Sequence, residues 1–354
     1  MAYYFVPKTL SSISLVGTTS CGKSTIGNLL SGRYILPSGV QETTTSVVEI
    51  CHMLAYQTST IKLMDASNIN LYKYGYFDTE IRTSVNQVMT STNAVNPFTM
   101  LQLSMNVKPE KWQQLVTHNF HKFILKRQPL LAELNITEGF TVRDFPGLQY
   151  EKDTNRLHLI EKHLDKKGLI FFIFNAEETD SVKEDKLLKK LFDLLHHQKS
   201  DWQNVLFILN RKDAFYRDDN PESSLQKAIQ ARRARIKTLI QETWQNKLLD
   251  SKLNIIPLSA GLVFATEMLC WPNDFTTEPD RQYFKEYIAK QAICLLPDKI
   301  RKNLPRQVNR WHYWQWLKIY QAMYFNSGLN ELVQTLKSKR RVGRSGALFN
   351  ELRY

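Results

Sequence analysis

Gly17, Gly22, Lys23 and Ser24 stand in the spacing G-x-x-x-x-G-K-[ST], inside the stretch GTTSCGKS. Glycines at those two places let backbone N–H groups turn onto one anion, the lysine adds a point charge, and the serine hydroxyl suits Mg2+. The chemistry is recognition of a phosphate chain, with Thr18, Thr19, Ser20, Cys21 and Thr25 completing the loop and the first helical turn. The context is the required one. Apolar residues from Ile13 to Val16 predict a buried strand before the loop, and TIGNLLSGRY predicts a helix closing near Gly32. A phosphate there would meet the positive end of that helix.

Three later segments select among nucleotides. In RDFPGL, Asp144 follows a short predicted strand (Phe140 to Val142), where a carboxylate can hold Mg2+ through water and the Gly147 N–H can meet a γ-phosphate. In LNRKD, the residues Asn210, Arg211, Lys212 and Asp213 again follow a strand. A carboxylate at Asp213 can accept from both N1–H and N2–H of guanine, a donor pair that adenine lacks, so it would select guanine. In PLSAG, Ser259 and Ala260 end another strand, with the Ala260 N–H suited to guanine O6. Asp-x-Pro-Gly and Ser-Ala-Gly are common turns taken singly. It is the order, each at a strand end, that makes the set specific.

The elements that must position these residues alternate in type. GLIFFIFNA and NVLFILN are unbroken apolar runs of the kind buried on both faces of a parallel sheet. KEDKLLKKLFDLLHHQK, ending in His196 and His197, and the long ESSLQKAIQARRARIKTLIQETW carry apolar residues at helical spacing. TTTSVVEICHMLAY predicts a second strand, residues 75–137 a largely helical and polar region, and SGLNELVQTLKSKRR a closing helix with a Ser start. Strands alternating with helices predict an α/β fold, a three-layer sandwich on a mostly parallel sheet with ligands at the carboxyl ends of the strands. WPNDFTTEPD breaks the pattern. It divides a nucleotide-binding core (1–270) from a helical part (271–340) and a short basic tail (341–354).

Taken together, these segments resemble the GTP-binding domain of the dynamin superfamily, in its mitofusin-like and bacterial dynamin-like branch. The resemblance is densest at the Thr-Ser pair in the phosphate loop, at ILPSGVQETTT, at Asp-x-Pro-Gly and at the Asn-Arg-x-Asp form of the guanine motif. YFDTEIRTSVNQVMTS and SGLNELVQTL extend it. The gap of about a hundred residues between the threonine run and Asp144 suits such a large GTPase better than a small Ras-like one. The resemblance implies an enlarged P-loop GTPase domain that hydrolyses GTP to GDP and phosphate with Mg2+, activated by dimerisation through the nucleotide face. It assigns Mg2+ to Ser24, Asp144 and a threonine of the first switch, Thr43 or Thr44, which would also orient the attacking water. Lys23 would neutralise charge at the β–γ bridge and Ser20 would stabilise the transition state. Two positions depart from the family pattern. Thr19 or a neighbour stands where dynamins have a loop glutamine, and Arg211 where most GTPases have lysine; its planar guanidinium can stack on a base. The lost glutamine keeps a second reading open, a GTP-dependent switch or assembly module with negligible turnover.

Composition sets the surroundings. The 354 residues are 43% hydrophobic, enough for a sizeable core, and four scattered cysteines exclude a disulfide framework or structural zinc site. The N-terminus MAYYFVPKTLSS lacks the features of a signal peptide, which predicts a cytoplasmic protein. Of the net charge of +13, ten arise from Lys299 onward, where twelve Lys and Arg face two Glu. Such a basic end suits peripheral contact with anionic lipid. NRWHYWQWLKIYQAMYF interleaves aromatics and bases as a stacking surface for nucleic acid would, yet core packing or docking is the favoured reading. Without a long heptad pattern, a helical stalk is expected from a partner chain, if at all; a homodimer or a partner GTPase is the expected assembly.

Overall fold

A computed structural model describes residues 12–32, 34–36, 47–53, 60–64, 69–72, 83, 100–106, 140–147, 160–165, 168–178, 181–245, 253–270, 277–291 and 295–338. Strands β1 (Ser12–Gly17), β2 (Val47–Met53), β3 (Thr60–Met64), β4 (Ile69–Tyr72), β5 (Met100–Asn106), β6 (Phe140–Asp144), β7 (Leu169–Asn175), β8 (Val205–Asn210) and β9 (Ile255–Leu258) build one nine-stranded sheet. Its order is β4-β3-β5-β2-β6-β1-β7-β8-β9. From β6 to β9 all neighbours run parallel, and β2 joins β6 antiparallel. After β1 the chain fills one side of the sheet, then crosses to β7 and fills the other. That reversal opens a crevice at the carboxyl end of β1.

One departure from expectation lies in the region 75–137. Met100–Asn106 is a strand, parallel to β2 and antiparallel to β3. Its sequence MLQLSMN alternates apolar and polar, a period of two that no helix face can use. The β3–β4 pair extends the same edge.

The two sheet faces are covered by separate cores, and strand alternation assigns each side chain to one of them. Phe171 and Ile173 of β7 point to the core shared with α1 (Lys23–Ser31), α4 (Ala260–Cys270), α5 (Glu278–Gln291), α7 (Tyr313–Asn326) and the final helix, residues 329–338. A short helix, α6 (Asp298–Arg301), links α5 to α7. Ile170, Phe172 and Phe174 point to the opposite core, against α2 (Ser181–His197) and α3 (Pro221–Trp244). This is the three-layer α/β sandwich the sequence predicts. Within α7, Trp316, Leu317, Ile319, Tyr320, Met323 and Tyr324 are buried, so the aromatic run is core, with only Trp314 and Phe325 largely exposed among its described aromatics.

One charge pair sits inside the second core. Glu184 of α2 and Arg232 of α3 lie 3.4 Å apart, with 1% and 7% exposure. Both close on the end of β7. Glu184 accepts from the Asn175 N–H (3.0 Å), and Arg232 donates to the Asn175 carbonyl (3.0 Å). Burial pushes the Glu184 carboxyl up to about 7 against the pull of Arg232, and pushes the Arg232 guanidinium down. Truncating one member leaves the other buried and uncompensated. Arg232→Ala is expected to lower the unfolding free energy by about 3–5 kcal/mol, and Arg232→Met combined with Glu184→Leu to recover most of it. Urea denaturation of the three proteins measures both.

Candidate functional site

The ends of β1, β6, β8 and β9 at the crevice each carry or adjoin residues singled out from the sequence, and β7 adds Asn175, which was not among them. In register, Gly17 lies beside Ile173, Leu15 beside Asp144, Asn175 beside Asn210, and Asn210 beside Leu258. The phosphate loop leaves β1 at Gly17 and enters α1 at Gly22. Gly22 sits at φ 92, and a Cβ there would overlap the Asn210 amide, so no other residue fits. Ser20 also takes a left-handed backbone, φ 58, a conformation an L-residue adopts at a cost of about 1 kcal/mol. Helix α1 has no side-chain cap and no acidic residue in its first turn. Its leading N–H groups and positive end are thereby left for an anion. Lys23, 6% exposed, folds over the loop and donates to the carbonyls of Thr18 (2.7 Å) and Gly17 (3.3 Å). Cys21 is fully buried, and burial raises its thiol pKa, so it acts as a small packing residue.

The next group joins β6 to the loop. Ser24 donates to Asp144 at 2.7 Å, and Asp144 is wholly buried. A buried hydroxyl and carboxylate side by side are hard oxygen donors, the kind that suit Mg2+ with its retained waters. Gly147 packs directly on the loop: a Cβ on it would lie 2.6 Å from Thr19 Cα. Thr18 Oγ1 and Thr19 Oγ1 are buried with no hydrogen-bond partner among the described residues. Oxygens left so invite a ligand or water. Thr43 and Thr44 lie outside the described residues.

Asn210 connects the phosphate side to the base side. Its amide donates to the Cys21 carbonyl (2.9 Å), and its carbonyl accepts from the Ala260 N–H (3.1 Å). The Ala260 N–H, expected at guanine O6, is therefore held by Asn210 here. Arg211 stands at φ 63 and pairs with Glu177. The Asp213 N–H donates to Ser259 Oγ (3.1 Å). The half-buried Asp213 carboxylate has no hydrogen bond or ion pair among the described residues. Lys212 donates to the Asn326 carbonyl (2.7 Å), partly buried there with its pKa lowered by desolvation.

That last contact belongs to a junction the sequence reading did not assign to the site. Between α7 and the helix at 329–338, the Ser327 carbonyl accepts from the Ser259 N–H (2.9 Å). Gly328 turns at φ 90 with its Cα against the Pro257 carbonyl. The Ser-Gly pair opening the last helix is the only signal in the sequence. Asn28 is a second omission. Wholly buried in α1, it bonds three ways to Ile35 and Leu36, fixing the chain just before the threonine run. A polar residue inside the apolar run TIGNLL marks it.

Residues 13–212 match the family model described as the dynamin family. Two solved structures, both described as an oligomerised bacterial dynamin pair that provides a mechanism for the long-range sensing and tethering of membranes, align over 98% of this chain at 13% identity. Their TM-scores are 0.43 and 0.41. The chain spans 46% and 45% of their lengths. No curated protein matches it in sequence.

Removing the Asn210 side chain strands a buried carbonyl and a buried N–H at once. Asn210→Ala is expected to lower stability by about 2–4 kcal/mol, from two orphaned groups, and Asn210→Asp, which keeps the Ala260 bond but sets a buried carboxylate oxygen against the Cys21 carbonyl, to cost at least as much. Thermal unfolding without added ligand tests the order of the two variants.

Proposed function

The chain belongs to the dynamin family, and on that premise we propose that it binds guanine nucleotide at the carboxyl edge of the sheet and hydrolyses GTP to GDP and phosphate. The observation that carries this reading is the tie through Asn210, which holds a phosphate loop and a base loop at opposite ends of one crevice. Only a ligand with both a phosphate chain and a base uses both.

In this reading the uncapped first turn of α1 and the loop N–H groups bind the β- and γ-phosphates, with Lys23 beside the β–γ bridge. Asp213 takes the N1 and N2 protons of guanine, and Arg211 lies along the base. Ser24, Asp144 through water, and Thr43 or Thr44 would hold a Mg2+ ion, which would supply positive charge against the phosphates. Ser20 in its left-handed turn, Thr18, Thr19, Thr25 and Gly147 complete the wall around the γ-phosphate. Phosphoryl transfer asks the protein mainly to position and to stabilise charge, and these groups do both. Turnover rises when two copies meet through the nucleotide face.

A switch with negligible turnover is the second reading. It is favoured by Thr19, whose short side chain is pinned under Gly147 where a water-organising residue would need reach. A peripheral lipid contact also belongs to the proposal. Lys299, Lys302, Arg306 and Arg310 are exposed around α6 and ahead of α7, near the exposed Trp314. No helix among the described residues is long and apolar enough to cross a membrane.

Purified protein is expected to bind GTP and GDP but not ATP, and Lys23→Ala to abolish binding. Asp213→Asn reverses one hydrogen-bond partner. It is expected to weaken guanine nucleotides roughly a hundredfold or more and to admit xanthine nucleotides, whose O2 accepts where guanine N2 donates. Rate per molecule measured against protein concentration separates the two readings. A rise means a GTPase activated by association, a flat near-zero line means a switch, and no guanine nucleotide binding defeats both.

A further inference from the structure

Helix α5 brings one side chain to the base loop that no nucleotide-binding segment contains. Tyr287 extends over Gly261, the residue after Ala260, so closely that a Cβ on Gly261 would lie 2.6 Å from the Tyr287 hydroxyl oxygen. The phenol thus fills the space that any side chain at 261 would take. Its ring is fixed from behind: Tyr283 stacks on it at 6.2 Å, and Tyr34, just after α1, stacks on Tyr283 at 6.3 Å. Among the described residues the Tyr287 hydroxyl has no hydrogen-bond partner.

The neighbouring Ala260 N–H is committed to Asn210 Oδ1. A guanine with its N1 and N2 protons on Asp213 would bring O6, a strong acceptor, to this end of the crevice. The committed N–H leaves that oxygen short of a donor, and a buried acceptor without one is costly. We infer that Tyr287 is a base-recognition residue whose hydroxyl donates to O6 of the bound guanine, over a Gly261 that exists to admit it. The inference rests on the proposed guanine-nucleotide site. Desolvation, with the nearby Asp213 charge adding to it, pushes the phenol up to about 12, so the hydroxyl keeps its proton and remains a donor at neutral pH. The same charge coupling places Tyr287 within electrostatic reach of Asp213 and Arg211.

The test uses the full chain and two probes, GDP and 6-thio-GDP, whose sulfur at position 6 is a poor acceptor. Tyr287→Phe keeps the ring and removes only the hydroxyl. It is expected to weaken GDP about fivefold, the scale of one net hydrogen bond, and to leave 6-thio-GDP unchanged. Gly261→Ala, which displaces the phenol while keeping it, is expected to repeat that selectivity, and it carries the test if Tyr287→Phe melts low without nucleotide. Equal GDP affinity in wild type and Tyr287→Phe overturns the inference, as does an equal loss for both probes, which would be a packing effect. If wild type binds no guanine nucleotide, the proposed function falls and this inference with it. If wild type binds and only the selectivity is missing, this inference falls alone.

Discussion

The Asn210 side chain is the point on which the site depends. Its carboxamide is the one group that can donate to the phosphate loop and accept from the base loop at the same time, and it does both at ordinary hydrogen-bond distances. A carboxylate could only accept, and a hydroxyl could not span the gap between Cys21 and Ala260. The need for glycine at 22 follows from this, since the amide occupies the space where a side chain would stand. The backbones of two loops, 189 residues apart in sequence for one of these bonds, are therefore set by a single side chain at the end of β8.

The rest of the architecture keeps that end still. Phenylalanines and isoleucines of β7 and β8 alternate between two cores, so neither strand can slip by one residue without exchanging its faces. The buried Glu184–Arg232 pair grips the Asn175 backbone on one side of β8. On the other, the Ser327 carbonyl and the Gly328 turn hold the chain at Pro257 and Ser259. Among the described residues four non-glycines take a left-handed backbone: Ser20 and Arg211 in the two loops at the crevice, and Lys199 and Gln245 just after helices α2 and α3.

Much of this was legible in the sequence because the pieces are local. A phosphate loop declares itself within eight residues, and the apolar runs of β7 and β8 predict buried parallel strands directly. The strand β5 is hard to see in the sequence because its seven-residue alternation is diluted by the long polar stretch around it. The contacts of Asn210 were not legible, since a sequence shows a motif's members but not their bonds. The motif pointed to the nucleotide, and the structure adds a role in holding the loops. Lys212 shows the same limit: it looks like a member of a binding motif, yet it anchors to Asn326. Ser327 and Tyr287 act through neighbours distant in sequence, while Asn28 acts within eight residues, where only the oddness of a polar residue in an apolar run hints at it. The Thr43 and Thr44 expectation lies outside the described residues.

The anchoring of Lys212 to Asn326, 114 residues later, has a consequence for how the molecule is made. The phosphate loop leaves the ribosome near the start of synthesis, but the base loop has no floor until Asn326 and Ser327 emerge. At 5–20 residues per second, the roughly 300 residues between Ser24 and Asn326 take about 15–60 s. During that interval the nascent chain carries the uncapped start of α1 and a half-built crevice. Under the proposed function, a nucleotide arriving early would meet only the phosphate half, and discrimination between bases would be acquired late, when the final helix docks.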